Sequence, residues 1–348
     1  MKKLFAVLMA LAVVAGTAAC AAQSTGTAPT TAAATQAPAS TEKITVRIGH
    51  NQPDNSPEQI GLLKMKEVAE AQDPRLYIEI YPAGQLGTNR DQVESTQMGT
   101  IEMALQPLSF IVPFAEDVRV FDFPYLVPTE GSKVVEFYRS DLAKEGLARV
   151  ETAGMKGINL WFSDYKRMTI SGGEIHTPND LKGKKIRVMD SDVLMAQYEA
   201  WGANPIPLAY TELYSALQQK VVDGEENQMS SIVMNKFYEV QDCVVDTLHG
   251  TMTYALIANM TWYNKLDDTA KAALQAGADA GMVAEYDKVV ELRPGYDKEV
   301  TDAGKKLYAL TADEIAQFKE ASAKVYDEQP SNDWQRDYLK RVLEFTAK

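Results

Sequence analysis

The chain has 348 residues, 45% of them hydrophobic and 24% charged, which is ordinary for a soluble globular protein and long enough for two substantial hydrophobic cores. The net charge of −13 argues against a nucleic-acid partner, because nucleic-acid binding favours a basic surface. An anionic ligand stays possible, since a local basic pocket can lie within an acidic protein.

The first twenty residues have the pattern of an export signal. Two lysines precede an apolar segment, 4–15, that is too short for a typical membrane span. The sequence GTAAC, ending at Cys20, resembles a bacterial lipobox, although Thr17 stands where leucine is usual. We therefore expect a signal peptide over 1–20 and lipidation of Cys20. The alternative is a plain secretory signal in which Cys20 has no role.

The segment 21–42 is rich in Thr, Ala, Ser, Gln and Pro and could not form a core. This composition predicts a disordered tether between a lipid and an extracytoplasmic folded domain, in the periplasm or at the outer face of the cytoplasmic membrane. If Cys20 is lipidated, Cys243 has no disulfide partner. Its apolar surroundings predict a buried, inert thiol.

Strands and helices then alternate, which predicts an α/β architecture. The predicted strands are listed here in chain order: 44–49, 76–81, 101–105, 158–162 and 185–189. Ser56 begins a capping box with proline at the first helical position, so a helix starts there. Another helix is expected from Asp190 to about Trp201, where Gly202 ends it.

A longer helix is predicted from Asp267 to about Leu292, where Arg293-Pro294 ends it. Its length would be about 35–40 Å at 1.5 Å per residue, with Gly281 as a possible bend. Amphipathic helices are predicted near 311–326 and 333–345.

The most informative segment runs from Leu181 to Asn227. Arg187 lies on a short strand whose apolar neighbours face the other way, and its planar fork of donors suits a carboxylate. Arg167, on an earlier extended segment, and Asn227 are placed on separate elements that could converge on one small organic acid. The alternative is that both arginines are solvated surface charges.

This segment carries the motifs LKGKKIRV, GANPIP and ELYSALQQKVVDGEEN, and YPAGQLGTNR, GTIEMAL and FDFPYL precede it. In that order they resemble the substrate-binding proteins of tripartite ATP-independent periplasmic (TRAP) transporters, the DctP-type family. The resemblance covers nearly the whole chain after residue 43 and extends to KFYEVQD, 236–242.

The resemblance implies a two-lobed, periplasmic-binding-protein-like fold with a hinge and a long helix that spans both lobes. Lobe I would comprise 43–164 plus 253–292, and lobe II would comprise 165–252 plus 293–348. The strands that cross between lobes near 165 and 252 would form the hinge. The ligand would lie in the cleft between the lobes.

The resemblance also implies roles for individual residues. Arg187 would hold the ligand carboxylate, Arg167 would be a second basic contact and Asn227 a polar one. Tyr210 would place its ring against the ligand, or else simply pack at a helix start. Three further candidates lie where strands run into the expected cleft, namely His50, Asn51 and Gln106. Pro107 stands where sialic-acid binders of the family have glutamate, which weakens a sialic-acid assignment.

Catalytic and metal motifs are absent from the sequence. Glu225 and Glu226 are adjacent and would point apart, which is unfavourable for paired acid–base chemistry. By the resemblance, Glu226 would hold an arginine in place. His50, His176 and His249 lack metal-ligand spacing, and neither a nucleotide-binding nor a nucleophile motif is found. We expect no metal and no cofactor.

The sequence therefore predicts a non-catalytic receptor that delivers a carboxylate-bearing small molecule, such as a dicarboxylate, uronate or 2-oxo acid, to membrane permease subunits. Two alternatives stay open. One is an extracytoplasmic enzyme acting on carboxylated sugars with Glu225 or Glu226 as base, and the other is a ligand sensor for a signalling receptor.

Overall fold

The computed structural model describes residues 42–128 and 131–347. Cys20, the export signal and the tether up to Thr41 lie outside the described residues. Among the helices of the described part, none is both long and apolar enough to cross a membrane.

The described chain alternates strands, α-helices and short 3₁₀ helices. The strands are β1 (Ile44–Gly49), β2 (Leu76–Tyr81), β3 (Met103–Pro107), β4 (Met155–Tyr165), β5 (Arg167–Ile170), β6 (Lys185–Val188), β7 (Asn204–Pro207), β8 (Gly224–Asn227), β9 (Cys243–Asp246), β10 (Thr251–Asn259) and β11 (Lys306–Ala309). The α-helices are α1 (Pro57–Gln72), α2 (Asn89–Met98), α3 (Gly131–Arg139), α4 (Asp141–Leu147), α5 (Asp192–Ala200), α6 (Leu213–Gln218), α7 (Met229–Met234), α8 (Met260–Lys265), α9 (Asp268–Asp302), α10 (Ala312–Glu328) and α11 (Asp333–Thr346). The 3₁₀ helices are Leu108–Phe110, Glu116–Asp122, Ala148–Ala153, Pro178–Leu181, Tyr210–Glu212 and Phe237–Val240.

These strands form two separate sheets in the described residues. The first has the order β2-β1-β3-β10-β4, with β1 parallel to β2 and β3, and β10 antiparallel to β3 and β4. The second has the order β11-β9-β5-β8-β6-β7, in which β5 is antiparallel to both β8 and β9. Two sheets built from interleaved parts of one chain give two lobes.

Besides the long segment between β10 and β11, the chain passes between the two sheets at two adjacent crossings. One is Lys166, between β4 and β5, and the other is the segment 247–250, between β9 and β10. The Lys166 amide donates to the carbonyl of Gly250 at 2.8 Å, which ties the crossings together. A division of the chain into lobes near 165 and 252, and a hinge there, stay predictions.

Helix α1 begins at the predicted residues, but only one of the two bonds of the predicted capping box forms, because the Gln59 side chain contacts His50 instead. The Ser56 hydroxyl accepts from the Gln59 amide, and Pro57 occupies the first helical position, where its missing N–H costs nothing. The helix buries Leu62 and Met65 against the first sheet.

The long helix α9 differs from its predicted end. It runs from Asp268 to Asp302, 35 residues, and continues through Pro294. Proline costs an internal hydrogen bond, but tertiary contacts hold the last two turns in place. Arg293 contacts Asp246 of β9 at 3.3 Å, and Val300 is fully buried. The helix contacts α1 of the first lobe and both α7 and β11 of the second, so it spans both.

Gly277 and Gly281 of α9 serve close packing rather than a bend. A Cβ at Gly281 would lie 2.7 Å from the Gly61 carbonyl oxygen of α1, and one at Gly277 would lie 2.6 Å from the Met65 carbonyl oxygen. The two helix backbones therefore approach each other at positions where only glycine fits.

We expect Gly281→Ala to destabilise the protein by about 1–3 kcal/mol, because the added methyl overpacks the contact with α1. Gly295→Ala in the same helix is the matched control, since a Cβ there meets nothing within 4 Å. It should be neutral or stabilise by up to about 1 kcal/mol, the helix-propensity gain of alanine over glycine. Urea unfolding measures both, and equal effects would contradict this packing.

The two C-terminal helices pack on different lobes. Helix α10 lies on α5 of the second lobe, where the Trp201 indole donates to the Ser322 hydroxyl at 3.0 Å. Helix α11 contacts the first lobe, where the Tyr338 hydroxyl donates to the Leu142 carbonyl at 2.8 Å. The sequence-based expectation places 293–348 wholly in lobe II, whereas α11 contacts the first lobe. An amphipathic pattern indicates that a helix has an apolar face, but not which groove receives it.

Candidate functional site

Three neighbouring strands of the second sheet place the predicted residues together. Arg187 on β6 is opposite Glu225 on β8, and Asn227 on β8 is opposite Arg167 on β5. Because paired residues and residues two apart on a strand share one side, all four side chains belong to one face of the sheet. Three of the predicted ligand contacts are therefore neighbours, as expected.

Arg187 is buried and lacks an acidic partner. Its side chain is 1% exposed, and its Nε and Nη2 donate to the Leu208 carbonyl at 3.1 and 2.9 Å. Across the described residues no carboxylate lies within 4.0 Å of this guanidinium, and Nη1 makes no hydrogen bond. Burial lowers the pKa of Arg187, and the field of Glu225 opposes that shift. A buried cation without a counter-ion is costly and is the natural place for a ligand anion.

Arg167 is equally buried but already paired. It contacts Asp164 at 2.6 Å and Asp246, and it donates to the Tyr165 carbonyl at 2.9 Å. Burial lowers its pKa, but the two carboxylates outweigh that effect and raise it overall. Its predicted role as a ligand contact stays a prediction, and its charge is compensated within the protein.

Glu225 and Asn227 hydrogen bond to each other. The Asn227 amide donates to Glu225 at 3.0 Å, and the Thr169 hydroxyl donates to the same carboxylate at 3.2 Å. Burial raises the pKa of Glu225 to about 7, although Asn227 and Arg187 act in the opposite direction. A carboxyl that is partly protonated at neutral pH does not fully neutralise Arg187.

Tyr210 connects the second lobe to the first. Its hydroxyl donates to the Gln52 side chain at 3.3 Å and accepts from Asn235 at 2.7 Å. The Ser231 hydroxyl also reaches Gln52, at 3.3 Å, while Gln52 donates to the Tyr254 hydroxyl at 2.7 Å. Gln52 was not predicted, although it follows His50 and Asn51 directly. It bridges the lobes because the loop after β1 points across the cleft.

The candidate residues predicted in the first lobe, His50, Asn51 and Gln106, hydrogen bond to other side chains of that lobe. The Gln92 side chain donates to Asn51 at 3.0 Å and accepts from Gln106 at 2.7 Å, so the two predicted residues are linked through it. His50 contacts Gln59 at 2.7 Å and is fully buried. Burial lowers its pKa to about 4, so His50 is neutral at physiological pH. Contact of these residues with ligand stays a prediction.

A cavity of about 320 Å³ lies between the lobes and is lined by Leu208, whose carbonyl accepts from Arg187. Asn89 and Phe110 line it from the first lobe, and Asp190, Pro207 and Leu208 line it from the second. A larger cavity, of about 830 Å³, is lined by residues of α3, α4, β4 and α9. We assign the site to the smaller cavity, because Leu208 is the residue that Arg187 contacts and Asn89 donates to Gln106.

Glu226 has a different partner from the arginine expected. It contacts the Lys166 ammonium at 2.7 Å and His249 Nε2 at 2.7 Å, and it accepts from the Tyr198 hydroxyl at 3.2 Å. Burial raises the pKa of Glu226, but Lys166 and His249 outweigh that effect and hold it at about 2. This network joins the two crossings between the lobes, and the sequence offered no signal for Lys166.

Two other carboxyls are buried where α1, α9 and the second lobe meet. Glu58 of α1 accepts from Gln228 of the second lobe, and Glu285 of α9 accepts from Ser163. Both are fully buried, and burial raises the pKa of each, with Glu58 raising that of Glu285 further. The two buried carboxyls therefore both favour the protonated form more than an exposed glutamate does.

We expect Glu285→Gln to flatten the pH dependence of stability. The folded-state pKa lies above the unfolded value of about 4.3, so the protonated form contributes stability that is lost as pH rises through the folded pKa. From pH 5 to pH 8 the wild type should lose more unfolding free energy than Glu285→Gln. Urea titrations at both pH values measure this, with Glu67→Gln as a control on an exposed glutamate. Parallel losses in wild type and variant would contradict it.

Cys243 lies in β9 and is 2% exposed, as predicted for a buried thiol. Burial raises its pKa to about 11, which keeps it unreactive.

Comparison with known proteins places this geometry in a family. Residues 48–333 match the DctP model, described as bacterial extracellular solute-binding protein, family 7. The C4-dicarboxylate-binding periplasmic protein DctP of Vibrio cholerae is 32% identical over 292 residues, covering 82% of this chain and 86% of that protein. The ectoine-binding periplasmic protein TeaA of Halomonas elongata is 29% identical over 255 residues, covering 71% and 74%.

A solved structure agrees with the fold. The TRAP periplasmic solute-binding protein of Desulfovibrio salexigens, with bound orotic acid, superposes with a TM-score of 0.84 at 30% identity, covering 88% of this chain and 99% of that chain. The predicted two-lobed α/β fold with a long helix is confirmed. The chain therefore belongs to the DctP family of bacterial extracellular solute-binding proteins and is a TRAP substrate-binding protein, not an enzyme.

Proposed function

We propose that this protein binds a small organic acid in the cleft between its lobes, with the ligand carboxylate held by Arg187. The observation that carries this proposal is the buried Arg187 guanidinium, which has no acidic partner among the described residues. The relatives add support, since one is named for C4-dicarboxylates and the Desulfovibrio salexigens structure contains orotic acid.

Two lobes give this contact its strength. An ion pair exposed to water contributes little, whereas a charge-assisted pair in fixed, desolvated geometry contributes more. Closure of the lobes over the ligand would exclude water from Arg187, and the contacts of Gln52 with Tyr210 and Ser231 would hold the closed form. The crossings at Lys166 and 247–250 would act as the hinge.

The loaded protein would then deliver its ligand to TRAP membrane permease subunits from an extracytoplasmic position. The relatives named periplasmic support that location. The lipid anchor at Cys20 rests on the sequence pattern alone.

We expect Cys20→Ser to release the protein from the membrane. Without the thiol no lipid can be attached, and the tether then carries a soluble domain. Fractionation of cells expressing wild type and variant measures the shift, with Cys243→Ser as the control cysteine change. Unchanged membrane association of Cys20→Ser would show that the anchor is wrong.

The proposed function is tested by a thermal-shift screen of the purified protein against several hundred organic acids. Co-purified ligand is first removed by unfolding and refolding. A ligand at 1,000 times its Kd stabilises the folded state by about 4 kcal/mol, which gives a clear shift. A shift with one acid supports the receptor function, and turnover of that acid would favour an enzyme instead. The absence of any shift, with no co-purified acid found by mass spectrometry, would overturn it.

A further inference from the structure

The buried basic residues of the described chain differ in whether an acidic side chain pairs with them. These residues are His50, Arg119, Lys166, Arg167, Arg187 and His249. Lys166 lies 2.7 Å from Glu226, Arg119 lies 3.1 Å from Glu116, and Arg167 contacts two aspartates. Burial lowers the pKa of His50 to about 4, and His249 already contacts Glu226 at 2.7 Å. Arg187 alone among them carries a charge that the described residues do not pair.

Arg167 is the second arginine on the same sheet face, and its pairing limits what the cleft can accept. Asp164 and Asp246 both contact its guanidinium, and Arg293 shares the same two carboxylates at 3.7 and 3.3 Å. A second ligand carboxylate at Arg167 would have to approach two acids that are already in place. The cost of burying such an anion without a free cation is several kcal/mol.

Apart from Arg90 and Asp190, the side chains that line the cavity are neutral, with Thr88 and Asn89 offering a hydroxyl and an amide and Phe110 a ring. Gln52, Tyr210, Ser231 and Asn235, which contact one another between the lobes, are neutral as well. Arg90 at the rim is paired with Asp190 at 3.1 Å. Such a lining suits a small ligand whose body is polar but uncharged.

From this count of charges we infer that the ligand is a monocarboxylate with an uncharged polar or ring-shaped body, and that dicarboxylates are discriminated against. The inference rests on the proposed function and narrows its substrate class. One carboxylate pairs with Arg187, and the rest of the ligand meets neutral donors and acceptors.

Matched pairs of acids test the inference. Isothermal titration at pH 7.5 compares succinamate with succinate, galacturonate with galactarate, and 2-hydroxybutyrate with malate, together with the acid found in the screen and its dicarboxylate analogue. Within whichever pair binds, we expect the affinity of the monocarboxylate to exceed that of the dicarboxylate by about 100-fold or more. The second carboxylate of the dicarboxylate finds no unpaired cation among the described residues. Equal or tighter binding of the dicarboxylate overturns the inference while leaving the receptor function intact. If no acid binds, both this inference and the proposed receptor function are rejected.

The variant Asp246→Asn tests the physical cause. It keeps the size of the side chain but removes one of the carboxylates that compensate Arg167. The affinity ratio of monocarboxylate to dicarboxylate should then fall by about tenfold or more, the effect of one partly desolvated charge. Asp297→Asn is the matched control, since Asp297 contacts Arg293 and has no ion pair with Arg167 in the described residues. An unchanged ratio in Asp246→Asn would mean that Arg167 pairing does not set selectivity.

Discussion

Replacing Arg187 with methionine should abolish ligand binding while leaving the fold intact. Removing one partner of a buried ion pair costs about 3–5 kcal/mol, which corresponds to roughly 10²-fold to over 10³-fold in affinity. Titration calorimetry with the acid identified by screening measures the loss.

The ligand-free stability of Arg187→Met distinguishes this site from a structural ion pair. Arg187 is desolvated without an acid, so methionine removes a costly charge even though the Leu208 carbonyl loses two donors. We expect the variant to unfold at the same urea concentration as wild type or higher. Arg119→Met is the matched control, because Arg119 is buried with acidic partners. It should lower stability without changing affinity, and the reverse pattern would contradict our assignment of Arg187.

The second large effect is expected for Glu226→Gln. This change leaves the Lys166 ammonium buried without its carboxylate, which typically costs about 3–5 kcal/mol of folding stability. Since the folded pKa of Glu226 is about 2, below the unfolded value, its contribution is present above about pH 4.3 and is lost as pH falls toward 2. The stability difference between wild type and variant, measured by urea unfolding, should therefore be full at pH 7 and shrink in acid.

Glu225→Gln is a matched control one residue away. Glu225 is equally buried, but it has no ion pair within 4.0 Å in the described residues, and its pKa of about 7 means that glutamine resembles its protonated form. It should change stability by less than about 1 kcal/mol at pH 6. Adding Lys166→Met to Glu226→Gln should restore part of the lost stability, because the unpaired charge is then removed. Equal losses for the two glutamates would contradict the network.

Neighbouring residues in the sequence predict where α1 begins, but they do not predict where α9 ends. Ser56 and Gln59 are three residues apart, so the bond from the Gln59 amide to the Ser56 hydroxyl that starts the helix lies within one short stretch of sequence. Pro294 lies within α9 because Arg293 contacts Asp246 of β9 and the buried Val300 packs the last turn against the second lobe. The preference of proline for a helix end is a local tendency, and packing outweighs it here.

The candidate site likewise combines features that the sequence predicts with contacts that it does not predict. Period-2 alternation placed Arg187 on the polar side of its strand, and the motifs around it identified the family. The sequence could not indicate that Arg167 meets Asp246, which lies 79 residues away and becomes a neighbour only through the pairing of β5 with β9. Gln52 likewise meets Tyr210 and Ser231 only once the lobes come together.

The sequence by itself determined the alternation of elements, the family and the residue type that would receive a carboxylate. These depend on short-range periodicity and on contiguous motifs. The tertiary structure decided which charges are compensated, because burial and ion pairing depend on partners distant in the chain. Arg167 and Arg187 are the same residue type on neighbouring strands of one sheet, and only their three-dimensional surroundings make one a structural ion pair and the other the proposed binding group.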